Sequence, residues 1–111
     1  MDTIQLQVPS KPEYVTTLRL VTAAFARQLA FDVEKVEDLR VCVSEAVNYL
    51  LPDNESLTLI LSESNEGMII QIQAKRRETQ GESDSLHHMI LETLLDEVEE
   101  SPNGIQMRMN R

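Results

Sequence analysis

At 111 residues, with 41% hydrophobic and 26% charged side chains, the chain has the size and composition of one compact domain, residues 1–111, and is too apolar for a disordered acidic tail. Nineteen Asp and Glu against ten Lys and Arg leave a formal net charge of −9, which argues against nucleic acid as the ligand; two Tyr, two Phe and no Trp offer no base-stacking surface. No apolar run is long enough to span a membrane, no secretory leader is visible, and the lone Cys42 fits a reducing, cytoplasmic setting.

In chain order, Ile4, Leu6 and Val8 alternate with Thr3, Gln5 and Gln7, which predicts a half-buried strand. Ser10-Lys11-Pro12-Glu13 has the form of a capping box with Ser10 at the N-cap. Behind it Tyr14/Val15, Leu18, Val21, Phe25 and Leu29 recur at helical spacing to about Ala30, with Thr16, Thr17, Thr22 and Ala23 on the less apolar side. Asp32 is placed to cap a second helix, with Phe31 and Val36 as a hydrophobic staple. That helix has Val36, Leu39, Val43, Ala46/Val47 and Leu50 as its stripe, and Pro52 ends it. Two strands follow, about Ser56–Ser62 and Met68–Ala74, joined by the turn residues Ser64-Asn65-Glu66-Gly67. A polar connector from Lys75 to about Asp84 leads to a third helix over about Ser85–Glu99, with Leu86, Met89/Ile90, Leu94 and Val98 on its apolar face. Ser101-Pro102-Asn103-Gly104 then turns the chain into a last strand in which Ile105, Met107 and Met109 alternate with polar residues. The order β-α-α-β-β-α-β with alternating strands predicts a two-layer α/β sandwich, a mixed sheet with three helices on one face.

Three stretches carry a resemblance: Val8-Pro9-Ser10-Lys11-Pro12-Glu13-Tyr14-Val15, Glu37-Asp38-Leu39-Arg40-Val41-Cys42-Val43-Ser44-Glu45-Ala46, and Leu91-Glu92-Thr93-Leu94-Leu95-Asp96-Glu97-Val98. Together, and in this order, they resemble the anti-sigma-factor serine kinases of bacterial stress-response and sporulation switches, members of the GHKL ATPase superfamily. The resemblance implies a Bergerat-like sandwich with a shortened ATP lid. In that family the kinase binds a sigma factor, phosphorylates an anti-sigma-factor antagonist on serine, and commonly works as a homodimer.

The resemblance also implies three nucleotide motifs, and this sequence departs from each. In the first, Glu-x-x-x-Asn on the second helix, the Glu acts as base or water positioner and the Asn ligates magnesium. Glu45 is present, but four residues on stands Tyr49, and Asn48 is turned about 100° away around the helix. In the second, Asp-x-Gly after the third strand, the Asp accepts from the adenine amino group. Its positions hold Lys75, which has no acceptor, and the bulky Arg77. One such charge-assisted bond is worth on the order of 1.5–3 kcal/mol. The third is a glycine-rich lid end, and its positions hold Asp84, Ser85 and His87, with a carboxylate where phosphates would sit.

The expectation is therefore a degenerate member that keeps the fold and has lost the nucleotide: no cofactor, Glu45 vestigial, and no enzymatic turnover. What remains is protein binding, to a sigma factor or an anti-sigma antagonist. In the family an exposed arginine on the first helix belongs to the docking surface; Arg19 takes that place, with Thr16 and Ala23 beside it. The alternative is an active serine kinase with an atypical pocket, in which ATP and magnesium bind, Glu45 acts and Asn48 recovers the metal. Lys75-Arg76-Arg77 reads as a solvated or ion-paired strand end, or as a grip for an acidic partner. His87-His88 has no further Cys or His at ligand spacing, so no metal is expected, and Glu92, Asp96, Glu97, Glu99 and Glu100 read as a solvated helix face.

Overall fold

The computed structural model describes residues 1–51, 54–75 and 82–111, and side chains for all of these but 82–84. The elements in order are β1 (Thr3–Pro9), a 3-10 turn (Pro12–Tyr14), α1 (Val15–Gln28), α2 (Val33–Leu50), β2 (Ser56–Glu63), β3 (Gly67–Gln73), α3 (Glu82–Leu94), β4 (Glu97–Ser101) and β5 (Gly104–Asn110). The five strands form one sheet in the order β1-β2-β3-β5-β4, and every pairing is antiparallel. Alternation puts Leu57, Leu59 and Leu61 of β2, Met68, Ile70 and Ile72 of β3, and Ile105, Met107 and Met109 of β5 on one face. Leu18, Phe25, Leu39, Val43, Val47 and Leu50 of α1 and α2 complete that core. The opposite face stays open and carries Gln5, Gln7, Gln71, Gln73 and Gln106, with Gln71 donating to Gln106 at 2.8 Å. The result is the two-layer α/β sandwich of the sequence reading, consistent with a GHKL-like architecture.

Several local expectations are realised in detail. Asp32 caps α2, its Oδ1 accepting from the Lys35 amide at 2.9 Å, and both members of the staple, Phe31 and Val36, are buried. α1 ends in a Schellman-type closure: the Phe31 amide donates to Ala26 O and the Ala30 amide to Arg27 O. Ala30 takes the left-handed position, with φ 67°, that glycine would occupy without strain.

Others are corrected. The capping box does not form: the Ser10 hydroxyl donates to Leu51 O at 2.8 Å, tying the start of α1 to the end of α2, and a 3-10 turn opens the helix instead. Thr22 and Ala23 are buried, because Thr22 donates back to Leu18 O and so carries no polar demand into the core. The largest departure concerns the third helix. It ends at Leu94, and Glu97–Ser101 is a strand that pairs with β5, so the order gains a fifth strand and the sheet is antiparallel rather than mixed. The Asp96 amide already donates to Arg108 O, and Asp96 Oδ2 accepts from the Asn110 amide, so the chain leaves the helix there. Three of the acids read as a helix face therefore alternate on β4, with Glu97 and Glu99 outward and Glu100 inward beside Val98.

α3 is also rotated from its expected face. His87 and Leu91 are buried, Leu94 half-buried and Leu95 just past the helix buried, while Leu86 and Met89 are 57% and 60% exposed. The inward position that periodicity gave to an apolar residue is held by a histidine. Polar partners on β4 and α2 make that burial possible.

Candidate functional site

The site lies where α3 meets α2 and the inner face of β4. α2 presents Glu45 and Tyr49 one turn apart, on the same side of the helix. α3 inserts His87 between them and the sheet. The His87 ring stacks on Tyr49, with centroids 4.0 Å apart and planes 13° from parallel. Its Nδ1 lies 3.3 Å from Glu45 Oε1 and its Nε2 lies 2.7 Å from Glu100 Oε1. The His87 side chain is 3% exposed and that of Glu100 9%, so this pair is sequestered from water. Beside them His88 reaches Glu100 Oε2 at 3.3 Å and Glu92 Oε1 at 2.8 Å. The Tyr49 hydroxyl is buried with no hydrogen-bond partner among the described residues.

Of the nucleotide-motif positions, the structure thus brings Glu45, Tyr49 and His87 together. Asn48 is exposed, on a different side of α2 from Glu45, as its spacing requires. Lys75 sits exposed just past β3, where the Asn54 side chain grips its backbone: Lys75 N donates to Asn54 Oδ1 at 2.7 Å, and Asn54 Nδ2 donates to Lys75 O at 2.9 Å and to Leu50 O at 2.6 Å. Asn54 thereby clips the end of α2 to the end of β3. Ser85 is exposed on α3, with the Asp84 backbone in the same helix. Arg77, Pro52 and the side chain of Asp84 lie outside the described residues. Two depressions of the surface, one along Gln71, Gln73 and Gln106 and one along Glu92, Asp96 and Glu97, lie away from Tyr49 and His87.

The second candidate surface is α1. Thr16 is exposed and Arg19 half-buried, while Ala23 is 4% exposed, which corrects its expected place beside Arg19 on an accessible surface. Leu20 and Ala24 are exposed on the same helix and border Arg19 and Thr16 in its place. In a chain with nineteen carboxylates the Arg19 guanidinium makes no ion pair or hydrogen bond among the described residues, and its Nε is buried without a partner.

Glu100 was the residue that sequence reasoning missed. Read as part of a helix it faces solvent; read in a strand, its period-two relation to Val98 turns it inward. Cys42 is buried in α2, and burial, with Asp38 and Glu45 adding to it, pushes its thiol up to about 12. It is an inert core thiol. Among the described residues no group of three His, Cys, Asp or Glu is arranged to hold a metal, and no helix is long and apolar enough to cross a membrane.

The fold is a two-layer α/β sandwich, consistent with a GHKL-like architecture, in which α3 packs on the α2 face that carries Glu45 and Tyr49. No family model matches the chain. Part of it is similar to serine-protein kinases RsbW: 48% identical over 59 residues to that of Oceanobacillus iheyensis, covering 50% of this chain and 37% of that protein. The RsbW of Listeria monocytogenes is 48% identical over 46 residues, 41% of this chain and 29% of its own length, and that of Bacillus subtilis 40% identical over 45 residues, 40% and 28%. The matches span about a third of those relatives' length. They support the kinase family to which the sequence resemblance points.

Proposed function

We propose that this chain is a regulatory binding module that holds a bacterial sigma factor or an anti-sigma antagonist and does so without ATP. The observation that carries the reading is the His87 ring, stacked on Tyr49 and set between Glu45 and Glu100. In the resemblance the ligand's magnesium and phosphates approach the helix face of Glu45 and the residue four positions on. Here that residue is Tyr49, and the face is occupied from within. A nucleotide would have to displace a buried histidine together with its contact to Glu100, a loss on the order of a few kcal/mol before any binding is gained.

Partner binding then rests on α1. The Arg19 guanidinium, which has no ion pair or hydrogen bond among the described residues, lies near the exposed Thr16 and Leu20 and has the chemistry for a carboxylate on a partner. A cytoplasmic homodimer is the assembly that the resemblance implies for such a module.

The test is a binding titration of the purified chain against sigma factors and anti-sigma antagonists from the same cell, with and without magnesium ATP. The account expects a partner whose Kd is the same in both conditions. It expects Arg19→Glu to weaken that binding at least tenfold while leaving the unfolding midpoint unchanged. Binding seen only with ATP present, or antagonist phosphorylation that Glu45→Ala abolishes, would overturn it in favour of an active kinase.

A further inference from the structure

The five-stranded sheet has two edges, β1 and β4, and the sequence treats them differently. β4 carries Glu97, Glu99 and Glu100 within its five residues, and acids at an edge repel a strand from another molecule. β1, Thr3–Pro9, holds no charged residue, in a chain of net charge −9. Its inner side pairs with β2, and among the described residues no strand pairs with its outer side. The register fixes which backbone groups face outward. The Glu63 amide donates to Asp2 O and the Ser10 amide to Glu55 O, both at 2.9 Å, so the even-numbered positions from Asp2 to Ser10 bond to β2. Thr3, Gln5 and Gln7 therefore turn N–H and C=O outward, and Pro9 a C=O alone.

We propose that this edge binds a second copy of the chain, β1 against β1, antiparallel and in register about Gln5. It rests on the proposed function for the homodimer as such and adds the interface, which follows from the way β1 matches itself. With Gln5 opposite Gln5 of the second copy, Thr3 stands opposite Gln7, and every outward N–H of these three residues meets an outward C=O. Pro9, with no N–H, ends the ladder. On the helix side Ile4 and Leu6 face Leu6 and Ile4 of the second copy as closely spaced pairs. Ile4 is 38% exposed and Leu6 half-buried, so this contact covers apolar surface that the chain alone leaves open, whereas Val8 is already buried. A neutral strand is also where two chains of charge −9 approach with least repulsion.

The register sets position 5 opposite itself, which a charge exchange tests. Gln5 is exposed on the open face, so Gln5→Lys and Gln5→Glu each leave the packing of the chain intact. Size exclusion with light scattering across micromolar concentrations should give a dimer for the unsubstituted chain. Each variant alone brings two like charges together at the two-fold axis and should weaken the dimer at least about tenfold. An equal mixture of the two should restore it as a mixed pair. Gln73→Lys, on the same face but in β3, should leave dimerisation unchanged. Amide hydrogen exchange gives a second readout. The Thr3, Gln5 and Gln7 amides should gain protection as concentration rises, more than those of Ile4 and Leu6, which already bond to β2.

A monomer at every concentration would overturn the interface and the homodimer together. A dimer that Gln5→Lys and Gln5→Glu leave intact, or that their mixture does not restore, would overturn the interface and keep the homodimer. Protection of the Thr3, Gln5 and Gln7 amides gained only with a different protein would put that protein's strand on the edge and overturn the second copy. Should either variant fail to fold, exchange of these three amides in the unsubstituted chain still decides. Partner binding without ATP is measured by its own titration, so the two readings fail separately.

Discussion

Replacing Glu100 by Ala removes one carboxylate from the inner face of β4 and strands the histidines it serves. The contact at 2.7 Å to His87 is buried on both sides, and breaking a buried pair by deleting one partner costs about 3–5 kcal/mol. Two features reduce that figure. His87 keeps its other nitrogen against Glu45, and His88 is exposed enough for water to replace Glu100 there. The expected loss is therefore about 2–4 kcal/mol, in a domain whose total stability is on the order of 5–15 kcal/mol. Urea unfolding followed by circular dichroism at pH 6 measures it directly. With a slope of about 1.5 kcal/mol per molar urea the midpoint should fall by about 1.3–2.7 M. The neighbouring Glu99→Ala is the control: Glu99 is exposed on the opposite face of the same strand, so its loss should stay within about 0.5 kcal/mol. Equal midpoints for the two variants would refute the placement of β4 and the role given to Glu100.

Ala30→Gly should stabilise the protein by about 0.5–1 kcal/mol, raising the melting midpoint by about 2–4 °C, because it relieves a left-handed alanine at the end of α1. A lowered midpoint would contradict that closure. Gly104→Ala should do the reverse and cost at least about 3 kcal/mol: φ is 141°, and a Cβ there would collide with Ile72 O, a backbone atom of the paired strand that cannot swing aside. Cys42 should resist thiol reagents until the chain unfolds. Its thiol ionises at about 12 in the folded chain against 9.0 when free, so the folded form keeps a proton that the unfolded form loses between those values. That contribution is intact below pH 9 and falls by about 1.4 kcal/mol per pH unit above it. The difference in alkaline stability between the unsubstituted chain and Cys42→Ala isolates the effect.

Much of this architecture is legible in the sequence because local and global signals agree. The alternation of Leu57, Leu59 and Leu61, the cap at Asp32 with its staple, and the turn at Ser64–Gly67 each name their own structure. The third helix is the element whose bounds the sequence leaves open: it starts at Glu82 and stops at Leu94, and Glu97–Ser101 is a strand. Glu92–Glu100 holds so many acids that a solvated helix face and a strand edge look alike, and only the hairpin with β5 decides between them. The same ambiguity hid Glu100, and with it the reason a histidine turns inward at position 87. At the start of α1 the Ser10 hydroxyl had two acceptable uses, and a long-range bond to Leu51 O displaced the local cap. Ala23 was misplaced because a small residue at helical spacing is silent about which side it takes, and here the helix packs closely enough to bury it.

The proposed loss of the nucleotide rests on His87, stacked on Tyr49 and set between Glu45 and Glu100. The most direct measurement is thermal unfolding of the chain in millimolar ATP or ADP with magnesium. A ligand held only by the folded state at 100 times its Kd adds about 2.7 kcal/mol, which in a chain of this length raises the midpoint by about 10 °C. The account predicts no rise at all; a rise of several degrees, saturating with nucleotide, would contradict it.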